Sequence, residues 1–250
     1  MSKKVSSPKT LSKELINQIK KDDSNLETIQ ELIDNGVDIN YQDNDNMTAL
    51  VFAVMNNHIK IVKLLIGYPD ININIQNNFK MTALIVAASK ENNEIVKLLL
   101  EHPNINVNIQ DYMERTALIV AASKKNNETV KLLLEHPNIN VDIKNADGNT
   151  ALMMAATEGN TENLMNLLRK NADINIQNKD GNTALILVAP KKNTEIINLL
   201  LEHPNINVNI QNNLGRTALM LAATQGTTEN LMNLLHLFTF QTPTLWDGVF

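Results

Sequence analysis

The sequence predicts an all-α solenoid of helix-turn-helix units with protruding β-turn loops. Three observations carry that prediction. The tripeptide Thr-Ala-Leu recurs six times, at Thr48, Thr82, Thr116, Thr150, Thr183 and Thr217, with spacings of 34, 34, 34, 33 and 34 residues. Each copy opens an Ala-rich apolar segment, and a second apolar stripe follows it after a short polar break. A period of this size marks a unit too small to bury its own apolar face, which it hides against its neighbours.

The elements follow in the same order in every unit. A polar turn comes first, such as Asp147-Gly148-Asn149, and leads into Thr150-Ala151-Leu152-Met153-Met154-Ala155-Ala156. Ala and Leu are strong helix formers, and Thr150 stands where an N-cap hydroxyl accepts a free backbone N–H. The pairs Ala87-Ala88, Ala121-Ala122, Ala155-Ala156 and Ala222-Ala223 let neighbouring helices approach closely. After the break, Ile95-Val96 and Leu98-Leu99-Leu100 place apolar residues at i, i+3 and i+4 on one helical face. The unit closes on Ile105-Asn106-Val107-Asn108-Ile109, whose period-two alternation predicts extended chain.

These features resemble the ankyrin repeat. The matching residues include Gly148-Asn149-Thr150-Ala151-Leu152, Gly181-Asn182-Thr183-Ala184-Leu185, Gly215-Arg216-Thr217-Ala218-Leu219 and Gly36-Val37-Asp38-Ile39-Asn40. The resemblance implies partner binding through loop tips and the concave face of the first helices. The chain also departs from the family pattern. Ala49, Ala83, Ala117, Ala151, Ala184 and Ala218 replace its Pro, and Val51, Ile85, Ile119, Met153, Ile186 and Met220 replace its His. The family's Thr-to-His hydrogen bond is therefore replaced by apolar packing. At the break between helices Gly remains only as Gly159 and Gly226, with Asn57, Glu91, Lys125 and Lys192 elsewhere. Pro190 falls in the first helix of the fifth repeat, which it should end or kink by removing an N–H.

The period divides the chain into a basic tail at 1–9, expected to be flexible, and a repeat array at 10–236. The array holds an N-terminal cap at 10–43 and repeats at 44–77, 78–111, 112–145, 146–178, 179–212 and 213–236. In the cap, Leu11, Leu15, Ile16 and Ile19 form one stripe, and Ser24-Asn25-Leu26-Glu27 reads as a capping box for a second helix. Residues 237–250 form a divergent aromatic tail with the only Trp, Trp246, and three of the five Phe. A cap over the last helix pair, a divergent gene end and a linear docking motif are three open readings of that tail.

Composition narrows the function. Hydrophobic residues make up 43% of the chain, enough for a continuous core, and the net charge of −5 offers no support for a basic nucleic-acid face. With no Cys there is neither a disulfide framework nor a thiolate metal site. The N-terminus lacks a signal-peptide core, and no run approaches the ~18 apolar residues of a membrane span. An intracellular, cytoplasmic monomer is expected. Richness in Asn, Ile and Lys suggests an AT-rich genome, as in large DNA viruses and some intracellular microbes.

Two sets of residues are candidates for partner contact. Phe79, Met81, Tyr112, Met113 and Leu214 put apolar side chains at loop tips, where exposed aromatics act as binding anchors. The residue four after each Thr forms a second stripe, Phe52, Val86, Val120, Met154, Leu187 and Leu221. In the family that position faces the groove, although ordinary inter-repeat packing explains it equally. Lys90, Lys124, Lys125, Lys191 and Lys192 form either a basic edge or a solvated face. His102, His136 and His203 recur in Glu-His-Pro-Asn one repeat or more apart, too far to share a metal about 2 Å from each donor. No phosphate loop, nucleophile elbow or zinc-protease motif occurs. The expectation is a non-enzymatic module with no cofactor and no metal. It would bind another protein rather than nucleic acid, membrane or a small molecule. The alternative is a structural or redundant family member with no dedicated partner.

Overall fold

The computed structural model describes residues 7–21, 25–225 and 227–241, with 236–241 as backbone. Fourteen α-helices and no strand occur among them, arranged as seven consecutive helix pairs of an all-α solenoid. The cap holds α1 (Pro8–Ile19) and α2 (Leu26–Asp34). The repeats hold α3 (Ala49–Met55) with α4 (Ile59–Ile66), α5 (Ala83–Ser89) with α6 (Asn93–Leu100), and α7 (Ala117–Ser123) with α8 (Asn127–Glu135). They continue with α9 (Ala151–Thr157) and α10 (Thr161–Arg169), α11 (Ala184–Val188) and α12 (Thr194–Leu201), and α13 (Ala218–Gln225) and α14 (Thr228–Gln241). The described residues form two compact bodies, one of those between 7 and 121 with 135–139, the other of 122–134 with those between 140 and 241. In the first, α1, α3 and α5 pack in succession, as do α2, α4 and α6. In the second, α9, α11 and α13 pack in succession, as do α10, α12 and α14.

Each first helix starts where the Thr hydroxyl accepts the N–H three residues on. The distances are 3.2 Å from Val51, 3.3 Å from Ile85, Ile119 and Ile186, and 3.4 Å from Met153 and Met220. Such a cap contributes about 1 kcal/mol. The residues that replace the family His are core: Val51, Ile85 and Ile119 are each 1% exposed. Burying such a side chain stabilises by roughly 1.5–3 kcal/mol. Met220, in the last repeat, is instead 50% exposed.

Several boundaries differ from the sequence reading. Ser7 accepts the Thr10 N–H and Pro8 takes the first helical position, so α1 begins inside the stretch expected to be flexible. Pro suits that position because its missing N–H has no helical partner there. Residues 1–6 lie outside the described residues. Asn25, not Ser24, is the N-cap of α2, because its Oδ1 accepts the N–H groups of Glu27 and Thr28. Helix α14 runs to Gln241, five residues past the expected end of the array. It lacks the His-Pro stop that follows α6, α8 and α12. The tail readings for 242–250 fall outside the described residues.

In the breaks of the first four repeats one residue is left-handed, Asn57, Glu91, Lys125 or Gly159, at φ between 59° and 70°. Lys192 has no such conformation. Pro190 has already ended α11 at Val188, and the Lys191 N–H turns back to the Val188 carbonyl at 2.8 Å.

The period-two segments, expected as extended chain, form turns. Asn72, Asn106 and Asn207 each accept the N–H two residues on at 3.0–3.1 Å, which bends the chain before a ladder can form. The next Asn bridges repeats instead. Asn40 Nδ2 donates to Asp70 O at 2.7 Å while its Oδ1 accepts from Asn72 N at 2.8 Å. Asn74 pairs likewise with Asn104 O and Asn106 N, and Asn175 with Asn205 O and Asn207 N. Two residues on, Gln42, Gln76 and Gln177 donate to the following loop at Gln76 O, Gln110 O and Gln211 O. Side-chain amides thus satisfy backbone groups that a sheet would otherwise pair. At the N-terminal end Ser12, 1% exposed, closes the series by accepting the Asp38 N–H at 2.9 Å.

Candidate protein-binding surface

The loop tips are built by a carboxylate or amide at the base of each turn. Asn77 Oδ1 accepts the N–H groups of Phe79 and Met81 at 2.9 and 3.0 Å, and Asp111 Oδ1 accepts those of Met113 and Arg115 at 2.9 Å. One tip residue is left-handed in each, Lys80 at φ 55° and Glu114 at φ 58°. Arg115 then clamps the second oxygen of Asp111 through Nε at 2.9 Å and Nη2 at 2.7 Å. The fork holds a carboxylate that is itself fully buried, a geometry that orders the turn.

On this frame Phe79 and Tyr112 meet. The Tyr112 N–H donates to Phe79 O at 3.0 Å, which sets the two tips side by side. Their rings lie 6.1 Å apart, tilted by 58°, a favourable arrangement for two aromatic quadrupoles. Both rings nevertheless remain open to solvent, at 61% and 60%, and Met113 beside them is 40% exposed. Leu214, at a tip of the other body, is 74% exposed and Met81 is half-buried.

The second candidate stripe is not a uniform surface. Val86 and Val120 are 5% and 3% exposed and lie in the core. Their short branched side chains end within the packed layer. The longer Met154, Leu187 and Leu221 reach its edge and are half-buried. Phe52 is half-buried too, with the Lys20 ammonium 4.1 Å from its ring centre and bonded in turn to Asp43 at 3.3 Å.

The remaining marked residues have local roles. Nδ1 of His102, His136 and His203 accepts the N–H of Asn104, Asn138 and Asn205 at 3.2–3.3 Å. The Lys191 ammonium donates to Thr157 O at 2.9 Å. Lys131 and Glu162 pair at 2.5 Å. Their mutual hydrogen bond is the largest cause of a raised lysine pKa and a lowered glutamate pKa; their opposite charges act in the same directions, and burial opposes both shifts. Among the described residues no helix is long and apolar enough to cross a membrane.

The family comparison agrees with this architecture. The family model described as ankyrin repeats (3 copies) matches residues 16–111, 107–178 and 152–241. The crystal structure of the ankyrin repeat domain of Bcl-3, a member of the IkappaB protein family, superposes with a TM-score of 0.79 at 22% identity. That match covers 88% of this chain and 97% of the other. An ankyrin-repeat domain from Acinetobacter baumannii AYE is 28% identical with a TM-score of 0.69, covering 76% of this chain and 97% of that one. A further ankyrin-repeat protein of known structure is 28% identical with a TM-score of 0.70, covering 74% and 96%. No curated protein matches the sequence. With the matched segments together spanning residues 16–241, this chain belongs to the ankyrin-repeat family.

Proposed function

We propose that the chain is a non-enzymatic module that binds a protein partner through the apolar tips around Phe79 and Tyr112. Ankyrin repeats generally mediate protein–protein interaction, and the observation supporting this particular surface is the aromatic pair. Two rings held 6.1 Å apart by their own backbone remain about three-fifths exposed. An anchor ordered before binding loses little conformational entropy on docking. Met113 extends the patch along the same loop, while Leu214 and the half-buried Met154, Leu187 and Leu221 form separate apolar ground. The net charge of −5 favours a protein partner over nucleic acid, and the lack of Cys fits a reducing compartment.

Affinity capture from the native cell, with the unaltered chain and a Phe79→Ser/Tyr112→Ser/Met113→Ser variant as paired baits, tests this surface. Loss of a buried aromatic anchor costs about 2 kcal/mol or more. A partner enriched by the native chain and lost by the folded variant is the expected result. Equal retention of the partner by both baits would sink the tip assignment. Enrichment of nothing by either would favour the redundant-member reading.

A further inference from the structure

Among the described residues, the inter-repeat ladder ends with its last two rungs unbonded to a following loop. Asn209 and Gln211 stand where Asn40, Asn74 and Asn175, and Gln42, Gln76 and Gln177, reach the next repeat, yet both are exposed and bond no following loop among the described residues. They border a cavity of about 300 Å³ floored by Leu219, Met220 and Leu234. Met220 is 50% exposed there, whereas its counterparts Met153 and Ile186 are 1% and 2% exposed.

The internal rungs specify what such a face reads. Asn40 takes the carbonyl of Asp70 and the N–H of Asn72, and Gln42 takes the carbonyl of Gln76. One continuous segment of seven residues is therefore held at its first, third and seventh main-chain positions. Its second and fourth residues, Ile71 and Ile73, are 6% and 2% exposed. We propose that the Asn209–Gln211 end face is a second docking site, distinct from the loop tips. Its partner supplies an exposed main-chain segment with branched aliphatic residues at alternate positions. The bond pattern continues the interface that already joins consecutive repeats. A second copy stacked head to tail does not meet the requirement. The N–H it would offer, that of Asp38, is already held by Ser12.

The probe is the synthetic peptide Asp-Ile-Asn-Ile-Asn-Ile-Gln, capped at both ends, added to the full chain with ¹³C-methyl methionine. Saturable displacement of the Met220 signal, with Met113 and Met153 unmoved, is expected. The same peptide with its first two Ile changed to Ser should leave Met220 unmoved. In Asn209→Ala/Gln211→Ala, whose altered side chains are exposed, binding should weaken about tenfold or more while the Met153 signal confirms the fold. A Met220 signal indifferent to peptide overturns the proposal. So does equal binding by the double variant. If Met220 responds instead to removal of residues 242–250, or to protein concentration, the face belongs to the chain's own segment or to a second copy, and the proposal fails.

Discussion

Residues 157–168 and 224–235 are near copies, and both place an Asn, Asn163 or Asn230, where α4, α6 and α12 carry Ile61, Ile95 and Ile196. Both are buried, at 0% and 1% exposed, yet their surroundings differ. Asn230 Nδ2 donates to Ala189 O at 3.0 Å and Lys191 O at 2.7 Å. Those carbonyls lie beyond the end of α11, where Pro190 has removed them from the helical ladder. In the third repeat the carbonyl corresponding to Ala189 is that of Ala122, and it already accepts the Lys125 N–H at 3.4 Å. Asn163 has no partner at either Nδ2 or Oδ1. The same substitution should therefore have opposite signs at the two sites. A buried polar group without a partner costs about 1–3 kcal/mol, and an Ile there adds apolar burial at some packing cost. We expect Asn163→Ile to stabilise by about 1–2 kcal/mol. Asn230→Ile strips a donor from two carbonyls, one of which keeps only Thr227 Oγ1 at 3.1 Å, and should destabilise by about 1–2 kcal/mol. Urea unfolding of both variants, with hydrogen exchange of α10 and α14 to localise each change, measures the difference. Shifts of the same sign at the two sites would falsify the partner argument.

Three further outcomes follow from local geometry. A Cβ on Gly148, at φ 80°, would lie 2.7 Å from Lys179 N, whereas at Gly215, at φ 69°, it meets nothing within 4 Å. Gly148→Ala should therefore cost about 2–4 kcal/mol and Gly215→Ala only about 1 kcal/mol in chemical denaturation, and equal costs would refute the steric part. Thr82→Val, at a buried cap, should lose about 1 kcal/mol, and a neutral result in urea melts would show that the cap bond contributes nothing. The lowered pKa of Glu162 makes its contribution to stability present above its unfolded value and lost as pH falls through the folded one. The raised pKa of Lys131 makes its contribution present below its unfolded value and lost as pH rises through the folded one. Stability from the pair thus spans neutral pH and fades at both extremes. Glu162→Gln should flatten part of the acid limb of the stability profile, and an unchanged limb would remove the pair from that account.

Much of the fold is visible in linear order because its causes are local. The Thr-Ala-Leu period, the Thr caps and the helix stop at Pro190 all act within a few residues of themselves. Local signals also misled. The alternation Ile105-Asn106-Val107-Asn108-Ile109 has the period of a strand, but Asn106 uses its side chain to turn the chain. The valines Val86 and Val120 share a repeat position with Met154, Leu187 and Leu221, yet the valines are buried and the other three half-buried.

The sequence by itself determined the class of fold, the helix pairs and the aromatic character of two loop tips, because periodicity, propensity and capping act through neighbours in the chain. Tertiary structure decided which of those residues count as surface. It set Phe79 against Tyr112 across 33 residues of sequence through a single main-chain bond. It also gave one of two identical asparagines its partners and left the other without, since a hydrogen bond depends on the group brought opposite it.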